Sequence, residues 1–290
     1  MIIAQHTLGI PCKIEKILEI LKKKNIFLLE DCALSLGSKS SNIVLGNFGD
    51  AAIFSTDHSK PLNTLIGGMV YTKNIDLHKK INTIKKNSAE LSFKHQKLIY
   101  LRLIFEKLFY NNYLYWISKI IDKIFFRLKI SFLLEKDSTN KAHNYYPYPA
   151  KMPLFLAKIG LMEINRWENE SKKRLEIFNF IMNKFIENDL NHLLPKSYFS
   201  KSINIVPLRF IFSCTDNKIR KDLGKFIDIS KSWFLEPIIS TNETLSSFGY
   251  NDGECPVAEL KCPTIINLPC IMNEYEIKFF HNKLKCLNSK

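Results

Sequence analysis

The chain contains no CxxC pair and no cysteine/histidine spacing of the kind that binds zinc, although seven cysteines (Cys12, Cys32, Cys214, Cys255, Cys262, Cys270 and Cys286) are scattered along it. Reduced thiols in a cytoplasmic protein are therefore expected. No uncharged run approaches the roughly 18 residues that a membrane span needs. The opening MIIAQHTLGIPCK has no basic start, no long apolar stretch and no cleavage site. Neither secretion nor a membrane-spanning segment is expected. No helix-turn-helix, RNP or finger pattern stands out, and no internal repeat or low-complexity tract is present.

The 290 residues carry a formal charge of +14. Clustered lysine and arginine would point to nucleic acid. Here the lysines are spread along the whole chain beside many Ile, Asn and Phe, a drift that AT-rich codons produce, so nucleic-acid binding is not the expected main role. Hydrophobic content of 46% and charged content of 24% are ordinary for a folded protein. The length suits one large domain, or a large and a small one.

Residues 2–6, IIAQH, read as a short buried strand, and the segment CKIEKILEILKKKN repeats apolar residues at helical spacing through Ile14, Ile17, Leu18 and Leu21. IFLLED then reads as a near-continuous apolar strand ending in two carboxylates. A strand, a helix and a strand in that order predict a parallel sheet in an α/β fold. GDAAIFST and GGMVYT predict two further strands. From about 75 to 135 the pattern is helical. Within it Leu114, Ile117, Ile121, Ile124 and Leu128 share one face, and Lys119, Lys123 and Arg127 share another. Packing of that block on its own domain or across a dimer is the favoured expectation, and peripheral contact with an anionic membrane through residues 100–134 is the alternative. KDSTNKAHNYYPYP reads as a linker before a long helix. Strand INIVPLRFIFS, helix NKIRKDLGKFIDI, strand SWFLEPI, a loop and a final helix from about 273 predict a small α+β domain. The expected division is 1–150 with a helical, basic insertion at about 90–140, and 151–290.

Asp31, Ser55 and Lys60 fall at or just beyond the C-terminal ends of neighbouring expected strands, the edge where open α/β sheets bind ligands. Pyridoxal 5'-phosphate needs a carboxylate to keep its ring nitrogen protonated, donors for its phosphate and a lysine amine for its aldehyde. Spacing alone leaves the alternative open that an aspartate and a lysine at strand ends are plain surface residues.

The wording around these residues is more specific. LLEDCALSLGS followed by VLGNFGDAAIFSTDHSKPLNTLIGGMVYT resembles the core of the DegT/StrS family of sugar aminotransferases, fold-type-I pyridoxal phosphate enzymes. There the text reads roughly E-D-A/C-A-Q/H-x-x-G, then G-x-x-G-D, then F-S-x-x-x-x-K and a glycine pair. YPAKMPLFLAKIGLMEINRW and CPVAELKCPTIINLPC resemble later landmarks of the same family. The resemblance implies a three-layer fold-type-I large domain with a smaller C-terminal α+β domain, and a homodimer in the cytoplasm. It assigns Asp31 to the pyridine nitrogen, Ser55 to the phosphate and Lys60 to the covalent anchor. It further implies a nucleotide-linked keto sugar as substrate, an amino donor such as glutamate, and an amino sugar for surface polysaccharide or lipopolysaccharide as product.

Departures accompany the match. Leu34 stands where the family has Gln or His, and Lys151, a weak substrate candidate with Tyr148, stands where Arg is common. Family members carry a long section before the strand on which Met1 stands, including a phosphate-binding loop and a stacking aromatic ring. An N-terminally incomplete large domain is thus expected, with an inactive partner protein as the alternative function. A dehydratase branch replaces the lysine with histidine, but His58 lies two residues early and Lys60 is present. No metal site is expected: His6, His78 and His95 lack partner spacing for a triad or metal, and His143 lies in the polar linker.

Overall fold

Residues Ile2–Gln5 form β1 and Leu28–Asp31 form β2, and between them the amphipathic α1 (Ile14–Leu21) buries Ile14 and Leu21 against Ala4 and Leu28. The computed structural model describes residues 1–22, 24–111, 114–127, 149–229, 236–238 and 244–284. β1 and β2 are parallel, with Gln5 opposite Asp31. β2 pairs in parallel with β5 (Ala51–Ser55), with Asp31 opposite Ile53. A two-residue hairpin, β3 (Lys39–Ser40) and β4 (Ile43–Val44), precedes β5 and was not evident in the periodicity, being too short for alternation to register.

Downstream come β6 (Gly68–Tyr71), α2 (Ile75–Asn87), α3 (Phe93–Phe109), α4 (Tyr115–Arg127) and the 34-residue α5 (Leu154–Glu187). Next are β7 (Ile203–Asn204), β8 (Arg209–Ser213), α6 (Asn217–Leu223), α7 (Pro256–Lys261), β9 (Ile265–Pro269) and α8 (Glu274–Leu284). The strand expected over INIVPLRFIFS is broken into β7 and β8 around Pro207, which has no N–H to give a ladder. The region expected as a loop before the last helix contains β9, which pairs antiparallel with β8. The strand expected at SWFLEPI falls mainly outside the described residues.

The chain packs as two compact units, Met1–Phe54 with Arg166–Lys290, and Ser55–Asn165. This partition runs through β5 and α5, so it differs from the sequence division near residue 150. In the first unit Phe178, Ile181, Met182 and Phe185 of α5 lie on one helical face and bury against Phe210 and Phe212 of β8, Ile266 and Leu268 of β9, and Phe280 and Leu284 of α8. In the second, Leu65, Leu91, Ile99, Leu103 and Leu156 form the core.

The expected face of α4 is split: Leu114 and Ile121 are half-buried, and Leu128 lies outside the described residues. Ile117 and Ile124 are exposed, whereas Ser118 is buried and Asp122 reaches the guanidinium of Arg102 on α3. The cause is electrostatic. Arg102, only 13% exposed, needs anions, and Asp122 and Glu106 supply them. Their demand outweighs the burial of two isoleucines and fixes the rotation of the helix.

Candidate active site

In β2 the side chains alternate faces, so the neighbouring carboxylates Glu30 and Asp31 have separate fates. Glu30 is fully buried. Its Oε1 accepts the N–H of Phe48 and of Gly49 at 2.7 Å each, and its Oε2 accepts Gly46 N–H at 2.8 Å and faces His6 Nε2 at 3.3 Å. Burial pushes its pKa up, but the His6 ring and the three backbone donors outweigh that and hold it below the ordinary glutamate value. Glu30 therefore serves as a fastener for the G-N-F-G turn.

His6, Glu30 and Cys32 bring ligand atoms within 4.8 Å of one another. They do not suit a metal. Cys12 N–H donates to His6 Nδ1 at 3.1 Å, which leaves the ring proton on Nε2, pointing at Glu30. All acceptor sites of Glu30 are already used, and burial, then the Glu30 charge, push the Cys32 thiol up to about 12. A metal would need a bare nitrogen and a thiolate.

Asp31, on the other face of β2, is half-buried at the strand's C-terminal end. Its Oδ1 accepts Ala33 N–H at 3.0 Å, and Gln5 Nε2, directly opposite in β1, lies 3.4 Å from Oδ2. Leu34 is 6% exposed and packs on Leu8 and Leu208, with Ile211 beside them. The leucine at a position the family fills with Gln or His is thus an apolar core residue here.

In the second unit Ser55 ends β5, and its hydroxyl lies 3.4 Å from Asp57 N–H. The chain then closes a tight loop: Thr56 N–H donates to Gly67 C=O at 3.0 Å and His58 N–H to Leu65 C=O at 3.0 Å. Lys60 stands half-buried at the turn of this loop, its N–H on Asp57 C=O at 2.9 Å. Buried Thr64 Oγ1, 2.7 Å from Thr56 Oγ1, ties the two arms. Gly67 has φ +124°, a left-handed backbone that a side chain would strain, so the first glycine of the pair is required by the backbone. Asp57 was not singled out in the sequence. Burial pushes its pKa up, but His58, whose Nδ1 lies 2.8 Å from Oδ1, together with Ser59 N–H and the Lys60 charge, holds it below the usual aspartate value. Its signal was the D-H pair inside the F-S-x-x-x-x-K stretch.

Lys151 Nζ lies 3.2 Å from Glu90 Oε1, and its N–H donates to Ala89 C=O. Tyr148 lies outside the described residues. The C-P-x-A-E landmark proves structural: Glu259 accepts Tyr250 Oη–H at 2.6 Å and Gly253 N–H at 2.8 Å, binding the preceding loop to α7. Two open clefts in the first unit, of about 700 and 450 Å³, are lined by residues such as Tyr250 and Asp252, and Tyr198 and Asn204, and do not contain Asp31.

Residues 1–103 match the DegT/DnrJ/EryC1/StrS aminotransferase family, a stretch that contains Asp31, Ser55 and Lys60. Over 77 residues the chain is 42% identical to GDP-perosamine synthase of Escherichia coli O157:H7, covering 27% of this chain and 21% of that enzyme. It is 25% identical over 276 residues to protein MJ1066 of Methanocaldococcus jannaschii, covering 92% of this chain and 61% of that protein. The chain thus spans less than two thirds of these relatives. The fold is shared along its length: Streptococcus pneumoniae protein Spr1654, solved in a PLP form, superposes with a TM-score of 0.66 at 16% identity over 99% of this chain and 67% of that one. Among the described residues no helix is long and apolar enough to cross a membrane.

Proposed function

We propose that the protein is a pyridoxal-phosphate-dependent aminotransferase of the cytoplasm, acting on a nucleotide-linked keto sugar with an amino donor such as glutamate. The product is an amino sugar for surface polysaccharide or lipopolysaccharide. The observation that carries this reading is that Asp31 ends β2, Ser55 ends β5 and Lys60 stands in the turn beyond it, all within the stretch that matches the family. The nucleotide-sugar name of the E. coli relative supports the substrate class.

The donor set fits the cofactor: an anion for a protonated ring nitrogen, a hydroxyl for phosphate and a primary amine for an aldehyde. Bound pyridoxal phosphate supplies an electron sink for the carbon that loses its proton. Asp31, its Oδ1 fixed by Ala33 N–H, would hold the ring-nitrogen proton through its carboxylate. Ser55 would donate its hydroxyl to phosphate. Lys60 would be the covalent anchor and, once released, would take the proton from the amino-bearing carbon and return it to the sugar carbon as general base and acid. The negative charge of Asp57 would balance the lysine while it carries that proton. Lys151 and Tyr148 are the candidate sugar contacts, and a homodimer is the proposed assembly.

Borohydride reduction of the purified chain with pyridoxal phosphate, followed by peptide mapping, tests the anchor. One phosphopyridoxyl mass on Lys60, absent in Lys60→Ala, is expected, together with amino-sugar formation from a GDP-linked keto sugar. Label spread equally over lysines in both proteins would sink the assignment.

A further inference from the structure

Helices α3 and α4 of the second unit are apolar on the side away from their core. On α3 the exposed residues Phe93, Tyr100, Leu101, Ile104 and Leu108 follow helical spacing along one stripe, with Lys97 within it and Lys94 and Lys107 at its borders. On α4 the stripe is Trp116, Ile117, Ile120 and Ile124, bordered by Lys119 and Lys123, and Lys119 Nζ sits 5.2 Å from the Trp116 ring centre. Ile120 is 60% exposed while Ser118 on the opposite side is fully buried, so Ile117, Ile120 and Ile124 face outward and Ser118 and Asp122 face inward.

The charges are sorted in the same way. Glu106 and Asp122 are the only acids between Phe93 and Arg127, against seven Lys and Arg. Both acids bind Arg102, inside the helix pair. No further acid stands on these two helices; Glu163 of α5 binds Lys107 at 3.1 Å, and the charge of the surface is carried by the other bordering lysines. Apolar stripes with an indole and flanking lysines are the chemistry of a helix lying in the interface of an anionic bilayer. A second copy of this chain, itself positively charged, would oppose lysines with lysines, and protein interfaces are depleted in that residue.

We propose that α3 and α4 form a peripheral docking surface for anionic membrane, at the lipid headgroup level and without insertion across it. The inference is independent of the catalytic reading, since none of these residues is part of the proposed cofactor site.

The test is sedimentation of the full chain with vesicles of phosphatidylcholine, with and without phosphatidylglycerol, at low and high salt. Binding to the anionic vesicles alone, weakened by salt, is expected. Lys119→Gln with Lys123→Gln should weaken it roughly thirtyfold. Ile120→Asn with Ile124→Asn should weaken it as well, and a blue shift of Trp116 fluorescence should vanish in Trp116→Phe. Circular dichroism of the exposed-site variants checks that they fold. No vesicle binding, equal binding to neutral vesicles, or loss of a dimer in the isoleucine variant with no vesicle binding would each overturn the proposal. Binding that depends on the lysines but not on the isoleucines would overturn it too, since nucleic acid could then replace the bilayer.

Discussion

Glu30 and Asp31 are adjacent in sequence and differ in everything that matters for their use. Glu30 meets four donors in the interior, and Asp31 has one oxygen fixed by Ala33 N–H at the strand end. Glu30→Gln should cost about 3 kcal/mol, because an amide nitrogen set against Gly46 N–H and the His6 ring N–H has nothing to accept with. The folded-state pKa of Glu30 is depressed. Its contribution is then fully present above the unfolded value near 4.3 and is lost as pH falls through the folded value. Urea midpoints measured from pH 7 downward should fall more steeply below about pH 4 in the wild type than in the variant. Parallel profiles would show that the carboxylate is not the group responsible.

The elements show where sequence reading holds and where it stops. Arg102→Met should leave Asp122 and Glu106 without their cation and cost about 2 to 3 kcal/mol. Hydrogen exchange should speed up in α3 and α4 and stay unchanged in β8 and β9; uniform acceleration would contradict a local role. β1, α1, β2 and β5 were legible because their periodicity is set by burial within the segment itself. The rotation of α4 was not, because it is decided by Arg102 on another helix, and a hydrophobic pattern contains no term for a distant guanidinium. The strand-end positions of Asp31 and Ser55 were legible from the same periodicity. Leu34 shows the limit, since its role depends on Leu8 and Leu208, contacts that only the fold brings together, whereas the Asp57–His58 pair stands in the sequence and was passed over.

At the scale of the molecule, all seven cysteines belong to the first unit and none to Ser55–Asn165. Burial pushes the thiols of Cys32 and Cys270 up to about 12, the Glu30 charge adding to it at Cys32, whereas Cys255 is exposed. A disulfide-exchange reagent at pH 8 should label Cys255 at once and reach Cys32, Cys214, Cys262 and Cys270 only as the first unit opens, since the thiolate is the reactive form. The second unit has its own reporter in Trp116, isolated by Trp167→Phe and Trp233→Phe. β5 runs without a break from Phe54 to Ser55 and α5 from Asn165 to Arg166, so neither unit can lose these elements alone. Thiol labelling and Trp116 emission followed against urea should therefore share one midpoint, as a cooperative transition requires. Two separated midpoints would mean that the continuous strand and helix do not couple the units.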